Sequence, residues 1–118
     1  MILIDSSVWI DHLRAESAEI VELLNTKIVL GHPFVTGEVL MGSLAERRTV
    51  MELFDRLPVA RPTRFAEVRR LVEDRRLYGR GIGYVDVSLV AACLMNQARL
   101  LTRDRRLHAV AQELGVAA

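Results

Sequence analysis

The sequence predicts an α/β domain: a central parallel sheet of four to five short strands, flanked by helices on both faces. Three observations lead there. Short apolar runs such as Ile2-Leu3-Ile4 alternate with longer stretches whose apolar residues recur at helical spacing. Parallel neighbours need crossovers, and helices supply them. The chain has 118 residues, 51% of them hydrophobic and 26% charged, which suits one globular domain over residues 1–118 and leaves no room for a second.

Ile2-Leu3-Ile4 reads as the first strand and ends at an acid, Asp5. Ser6 or Ser7 can then cap a helix through about Arg14, with Val8, Trp9 and Leu13 on its apolar side. Ser17 can cap the next helix, where Ile20, Val21 and Leu24 keep helical spacing, and Lys27 to Leu30 forms a second strand. Gly31 to Pro33 reads as a turn, after which Thr36 caps a helix carrying Glu38. Ala45 to Leu57 is helical, and Pro58 stops it. Val59 and Ala60 fit a brief strand. Thr63 then caps a long amphipathic helix to about Tyr78, and Gly79, Gly81 and Gly83 make a flexible joint. A helix from Tyr84 to about Gln97, a strand from Arg99 to Thr102, and a helix opened by Asp104 and ending before Gly115 complete the chain.

Composition narrows the function classes. The single Cys93 allows no internal disulfide, and its neighbours Ala91, Ala92, Leu94 and Met95 suggest a buried, reduced thiol. The longest wholly apolar run, Leu89 to Met95, is far short of the roughly 20 residues needed to cross a bilayer. With no basic leader after Met1, the expectation is a cytoplasmic protein without membrane association. Net charge is +1, yet every basic residue except Lys27 is arginine. Arginine's planar fork suits phosphate oxygens, so Arg75, Arg76 and Arg80, or Arg103, Arg105 and Arg106, are candidate RNA contacts, with a solvated helix face as the plain alternative.

In an open α/β sheet, sites gather beyond the carboxyl ends of the strands. Four acids adjoin core-forming sequence: Asp5 ends the first strand, Glu38 precedes Val39-Leu40-Met41, Asp86 sits between Val85 and Val87, and Asp104 follows Leu100-Leu101-Thr102-Arg103. On a helix, Asp86 shares its side with Leu89, Val90 and Cys93, so its carboxylate should turn inward. A buried lone carboxylate costs several kcal/mol unless a proton, an arginine, helix N–H groups or a cation neutralises it. Singly, Asp104 reads as a helix cap, and Asp86 and Glu38 as acids favoured near a helix N-terminus. Together, the four would carry enough negative charge to hold divalent cations, and hard oxygen donors select Mg2+ or Mn2+. His12, His32 and His108 stand isolated and offer no softer cluster. Two such ions about 4 Å apart can activate a water and stabilise the leaving oxygen of a phosphodiester.

The strings ILIDSSVWIDHL, TGEVLMG, GYVDVSLVAACL and LLTRDRRL, in that order, resemble the PIN-domain ribonucleases over essentially the whole chain. Within that family the chain looks most like the VapC-type toxins of toxin–antitoxin pairs. The resemblance implies a PIN-like fold and a Mg2+- or Mn2+-dependent endoribonuclease, with Asp5, Glu38, Asp86 and Asp104 as its metal-binding catalytic pocket. It places Ser6 and Thr102 at supporting hydroxyl positions, beside their ordinary readings as helix cap and strand end. It further implies a homodimer, a cognate VapB-type antitoxin, and single-stranded or loop regions of RNA as substrate. Two alternatives compete: a phosphoacceptor receiver-type signalling domain and a noncatalytic RNA-binding module. The receiver reading is the poorer match, because Asp5 is followed by Ser6-Ser7 and the only lysine, Lys27, comes early.

Overall fold

Ile2–Ile4 forms β1, the middle strand of the sheet in the computed structural model, which describes residues 1–118. Val29–Leu30 (β2) and Arg99–Leu101 (β3) lie parallel on its two sides, in the order β2-β1-β3. The register pairs Leu3 with Leu30 on one side and with Leu100 on the other. Successive side chains of a strand point to opposite faces, and both Leu3 and Ile4 are fully buried, so both faces of β1 are covered.

Seven helices provide that cover: α1 (Ser6–Arg14), α2 (Ala18–Asn25), α3 (Pro33–Leu40), α4 (Arg47–Arg56), α5 (Phe65–Arg75), α6 (Tyr84–Asn96) and α7 (Arg105–Glu113). α6 and α7 pack on β3, α1 packs on α3, and α5 packs on α6. α6 is the central helix, since an unbroken run from Val87 to Cys93 is buried. Trp9 of α1 is also buried and meets Phe54 of α4 at a ring-centroid distance of 4.8 Å, which joins α4 to the core.

The sheet has three strands, fewer than the four to five expected. The expected Val59–Ala60 strand survives as a single bridge, Gly31 with Val59, and a second bridge, Leu100 with Ala117, lies at the other edge. At the first edge, Gly31 donates to the Pro58 carbonyl and Ala60 donates to the Gly31 carbonyl. The flanking Pro58 and Pro62 lack N–H groups, so the pairing does not extend. At the other edge, Leu100 donates to the Val116 carbonyl and Ala118 donates back to Leu100, in a segment for which no strand was expected.

Several helix starts also differ from expectation. Asp5, not Ser6 or Ser7, caps α1, accepting the Ser6 N–H at 2.8 Å. α3 begins at Pro33, ahead of Thr36, because His32 Nδ1 accepts the Phe34 N–H at 3.0 Å and proline needs no partner in a first turn. α4 starts at Arg47, two residues later than read. α5 starts at Phe65, where Arg64 N–H donates to Glu67 Oε1, and ends at Arg75 because Arg76 turns left-handed at φ +53°. Lys27, expected to open the second strand, is left-handed at φ +58°, and β2 begins only at Val29.

Candidate functional site

Asp5, Asp86 and Asp104 are set by three different junctions. Asp5 closes β1 and is 7% exposed. Its Oδ1 accepts the Ser6 N–H, and its Oδ2 accepts the Thr102 hydroxyl at 2.8 Å and the Ser7 hydroxyl at 3.5 Å. The same Thr102 Oγ1 accepts the Asp104 N–H at 3.1 Å, so one hydroxyl links the ends of β1 and β3 to the start of α7. Ser6 contributes its main chain; the hydroxyl facing Asp5 belongs to Ser7.

Asp104 caps α7. Its Oδ1 accepts the Arg106 and Leu107 N–H groups at 2.9 and 3.1 Å, and the side chain is exposed. Asp86 stands in the first turn of α6, half-buried, with Oδ2 accepting the Gly83 N–H at 3.1 Å. Burial pushes the Asp86 carboxyl above the usual carboxylate range. The Gly83 N–H opposes this shift, and the charges of Asp5 and Asp104 add to it. These three acids therefore share one electrostatic neighbourhood. Glu38 is exposed on α3, makes no hydrogen bond or ion pair through its side chain, and is not among the charges acting on Asp86.

No arginine or lysine neutralises any of the four acids. The three ion pairs of the protein are Arg70–Asp74, Arg80–Glu113 and Arg103–Asp11. Every free donor at the site is a carboxylate or hydroxyl oxygen, which fits a hard dication rather than zinc. His32 is unsuited to be a ligand, since its Nδ1 is the cap acceptor of α3; His12 Nδ1 likewise accepts the Ser17 N–H. No three of the Asp, Glu, His and Cys side chains are gathered at ligating distance, so the acids are not a closed cage. An ion held there would keep part of its water shell, as Mg2+ commonly does.

The arginines divide. Arg80 is tied to Glu113 and Arg103 to Asp11, whereas Arg75, Arg76 and Arg105 are exposed and form no ion pair. Arg106 lies across Gly81. A cavity of about 750 Å³ is lined by Arg61, Pro62, Thr63, Arg64, Glu67 and Met95 and contains none of the four acids. Ser7, expected only as a possible helix cap, donates its hydroxyl to Asp5, and His32, expected as an isolated histidine, caps α3. A serine two residues beyond a strand-ending acid was a usable signal for the first; nothing in the sequence announced the second.

The PIN domain family model matches residues 2–113. The chain is 48% identical over 118 residues to Ribonuclease VapC32 from two strains of Mycobacterium tuberculosis, covering 99% of this chain and 95% of each relative. The receiver-type alternative finds no support beside such a match. With Asp5 closing β1, Asp104 just past β3 and this likeness along its whole length, the chain belongs to the PIN-domain family, among the VapC-type ribonucleases.

Proposed function

We propose that this protein is a Mg2+- or Mn2+-dependent endoribonuclease, acting as the toxin of a toxin–antitoxin pair. The observation that carries the reading is the trio Asp5, Asp86 and Asp104, close enough for their charges to interact and without a cationic side chain. The ribonuclease name of its relatives, at 48% identity, supplies the substrate class.

In this reading Asp5, Asp86 and Asp104 hold the cation, and Glu38 joins them from α3. A dication bound there supplies activation of a water and charge neutralisation at the leaving oxygen. The protein's own part is positional. Thr102 holds Asp5 Oδ2 and the Asp104 main chain together, leaving Asp5 restricted in rotation. Capping leaves Asp104 Oδ2 free of protein partners while Oδ1 is fixed by two N–H groups. Ser7 adds a hydroxyl on the Asp5 side, and Ser6 its N–H. Exposed Arg75, Arg76 and Arg105 suit contact with RNA phosphates, with Arg106 next to Arg105 on α7 and Arg80 and Arg103 on the loops leading into α6 and α7. The partners that accompany this function are an RNA substrate, a VapB-type antitoxin and a second copy of the chain, in the cytoplasm. No helix is long and apolar enough to cross a membrane.

The test is cleavage of total RNA with end mapping, in Mg2+, in Mn2+ and in chelator. Metal-dependent internal cleavage is expected, and Asp5→Asn should abolish it while preserving the fold, because asparagine caps a helix as well as aspartate does. Cleavage that survives chelation, or that Asp5→Asn leaves intact, overturns the proposal.

A further inference from the structure

Asp104 is bound to Asp5 through Thr102, but Asp86 hydrogen-bonds only within the first turn of its own helix. Core packing of Val87 to Cys93 holds the body of α6, so the play left in the spacing of Asp86 from Asp104 lies in the first turn and in the segment leading into it. That segment, residues 79–83, has glycine at three of its five positions, two of them left-handed: Gly79 at φ +70° and Gly81 at φ +80°. Such a backbone has little stiffness of its own.

It is held at two points on α7. Arg80 Nη1 and Nη2 donate to Glu113 Oε2 and Oε1 at 2.7 and 2.6 Å, a bidentate pair at the last residue of the helix. At the first turn, the Arg106 side chain lies against Gly81. A Cβ on Gly81 would stand 2.9 Å from Arg106 Cδ and 3.0 Å from Cζ, and closer still to Nη1. Residues 106 and 113 are about 10 Å apart along a helix axis. Two anchors at that separation on one rigid rod oppose rotation of the segment as well as sliding.

We propose that Arg80, Glu113 and Arg106 form a clasp that fixes residues 79–83 on α7 and thereby sets the position of Asp86 relative to Asp104. They are positioning residues, not cation ligands. The role rests on the reading of these acids as a divalent-cation site. An exposed ion pair adds little to folding stability, so the clasp acts on geometry, and its loss leaves the protein folded.

The test is Mn2+ titration by calorimetry and by the resonance spectrum of bound Mn2+, using wild type, Arg80→Gln, Gly81→Ala, the reversed pair Arg80→Glu with Glu113→Arg, and Asp86→Asn. Removing a cation would by electrostatics alone tighten Mn2+ binding, so weakening in Arg80→Gln has a geometric origin. The expected result is about tenfold weaker binding in Arg80→Gln and Gly81→Ala, with most of it recovered in the reversed pair. Amide hydrogen exchange over residues 79–86 reads the clasp without metal; it should rise in Arg80→Gln and return in the reversed pair. Unchanged exchange, or wild-type Mn2+ affinity in both single variants while Asp86→Asn binds poorly, overturns the clasp. Wild-type Mn2+ binding by Asp86→Asn overturns the cation site instead, and with it the clasp's role in setting that site.

Discussion

Thr102 and Asp5, 97 positions apart in sequence, are joined by a hydroxyl-to-carboxylate hydrogen bond of 2.8 Å. The bond is buried and the acceptor is charged, so Thr102→Val leaves Asp5 short of a donor and the Asp104 N–H short of an acceptor. We expect a loss of about 2 kcal/mol in urea denaturation. Cleavage should fall by about tenfold or more, and Thr102→Ser should retain most of both.

On the proposed reading of these acids as a cation site, the raised Asp86 carboxyl makes metal binding depend on pH. Burial is the first cause, the Gly83 N–H pulls the other way, and the Asp5 and Asp104 charges add to the rise. In the metal-free protein the folded state holds this proton more tightly than the unfolded chain. Its contribution to stability is therefore present below the ordinary aspartate value and lost as pH climbs through the raised one. A dication competes for the same carboxylate. The melting-temperature gain from added Mn2+ should grow with pH across that window, and Asp86→Asn should flatten the growth.

His32 supplies a pH dependence unrelated to catalysis. It is 5% exposed, and burial holds it below its ordinary value. Its Nδ1 accepts the Phe34 N–H, which only an imidazole unprotonated at that nitrogen can do. The unfolded chain therefore takes up this proton first, so stability is kept above about pH 6.5 and falls as pH drops through the lowered value. His32→Asn, which can still cap, should remove this acid loss in denaturation midpoints. His32→Ala should cost about 1 kcal/mol at neutral pH.

Burial pushes the Cys93 thiol up to about 12. The side chain is 1% exposed and reactivity needs thiolate. Iodoacetamide labelling at neutral pH should be negligible in the folded protein and should track the unfolded fraction in denaturant. Labelling at the rate of a free peptide thiol under native conditions would contradict the buried placement.

Element order was legible wherever local chemistry is decisive. Ile2-Leu3-Ile4 followed by an acid, the apolar face of Tyr84 to Asn96, and the capping aspartate of α7 all carry their signal within a few residues. Errors fell where one local signal outweighed another. Thr36 is a good cap by type, yet His32 and Pro33 start the helix earlier; Val59 pairs through one residue because two prolines flank its segment.

The chain alone determined the alternation of strands and helices, the candidate acids at Asp5, Glu38, Asp86 and Asp104, and the lack of any cysteine or histidine cluster, because propensity, capping and ligand hardness belong to residue types and short spacings. Only the folded arrangement decided that Asp86 feels Asp5 and Asp104, that Thr102 bridges two of the acids, and that Arg80 and Arg103 are taken up by Glu113 and Asp11. Hydrogen bonds and charge interactions act over a few ångströms of space, and neighbours at that range are chosen by packing rather than by position along the chain.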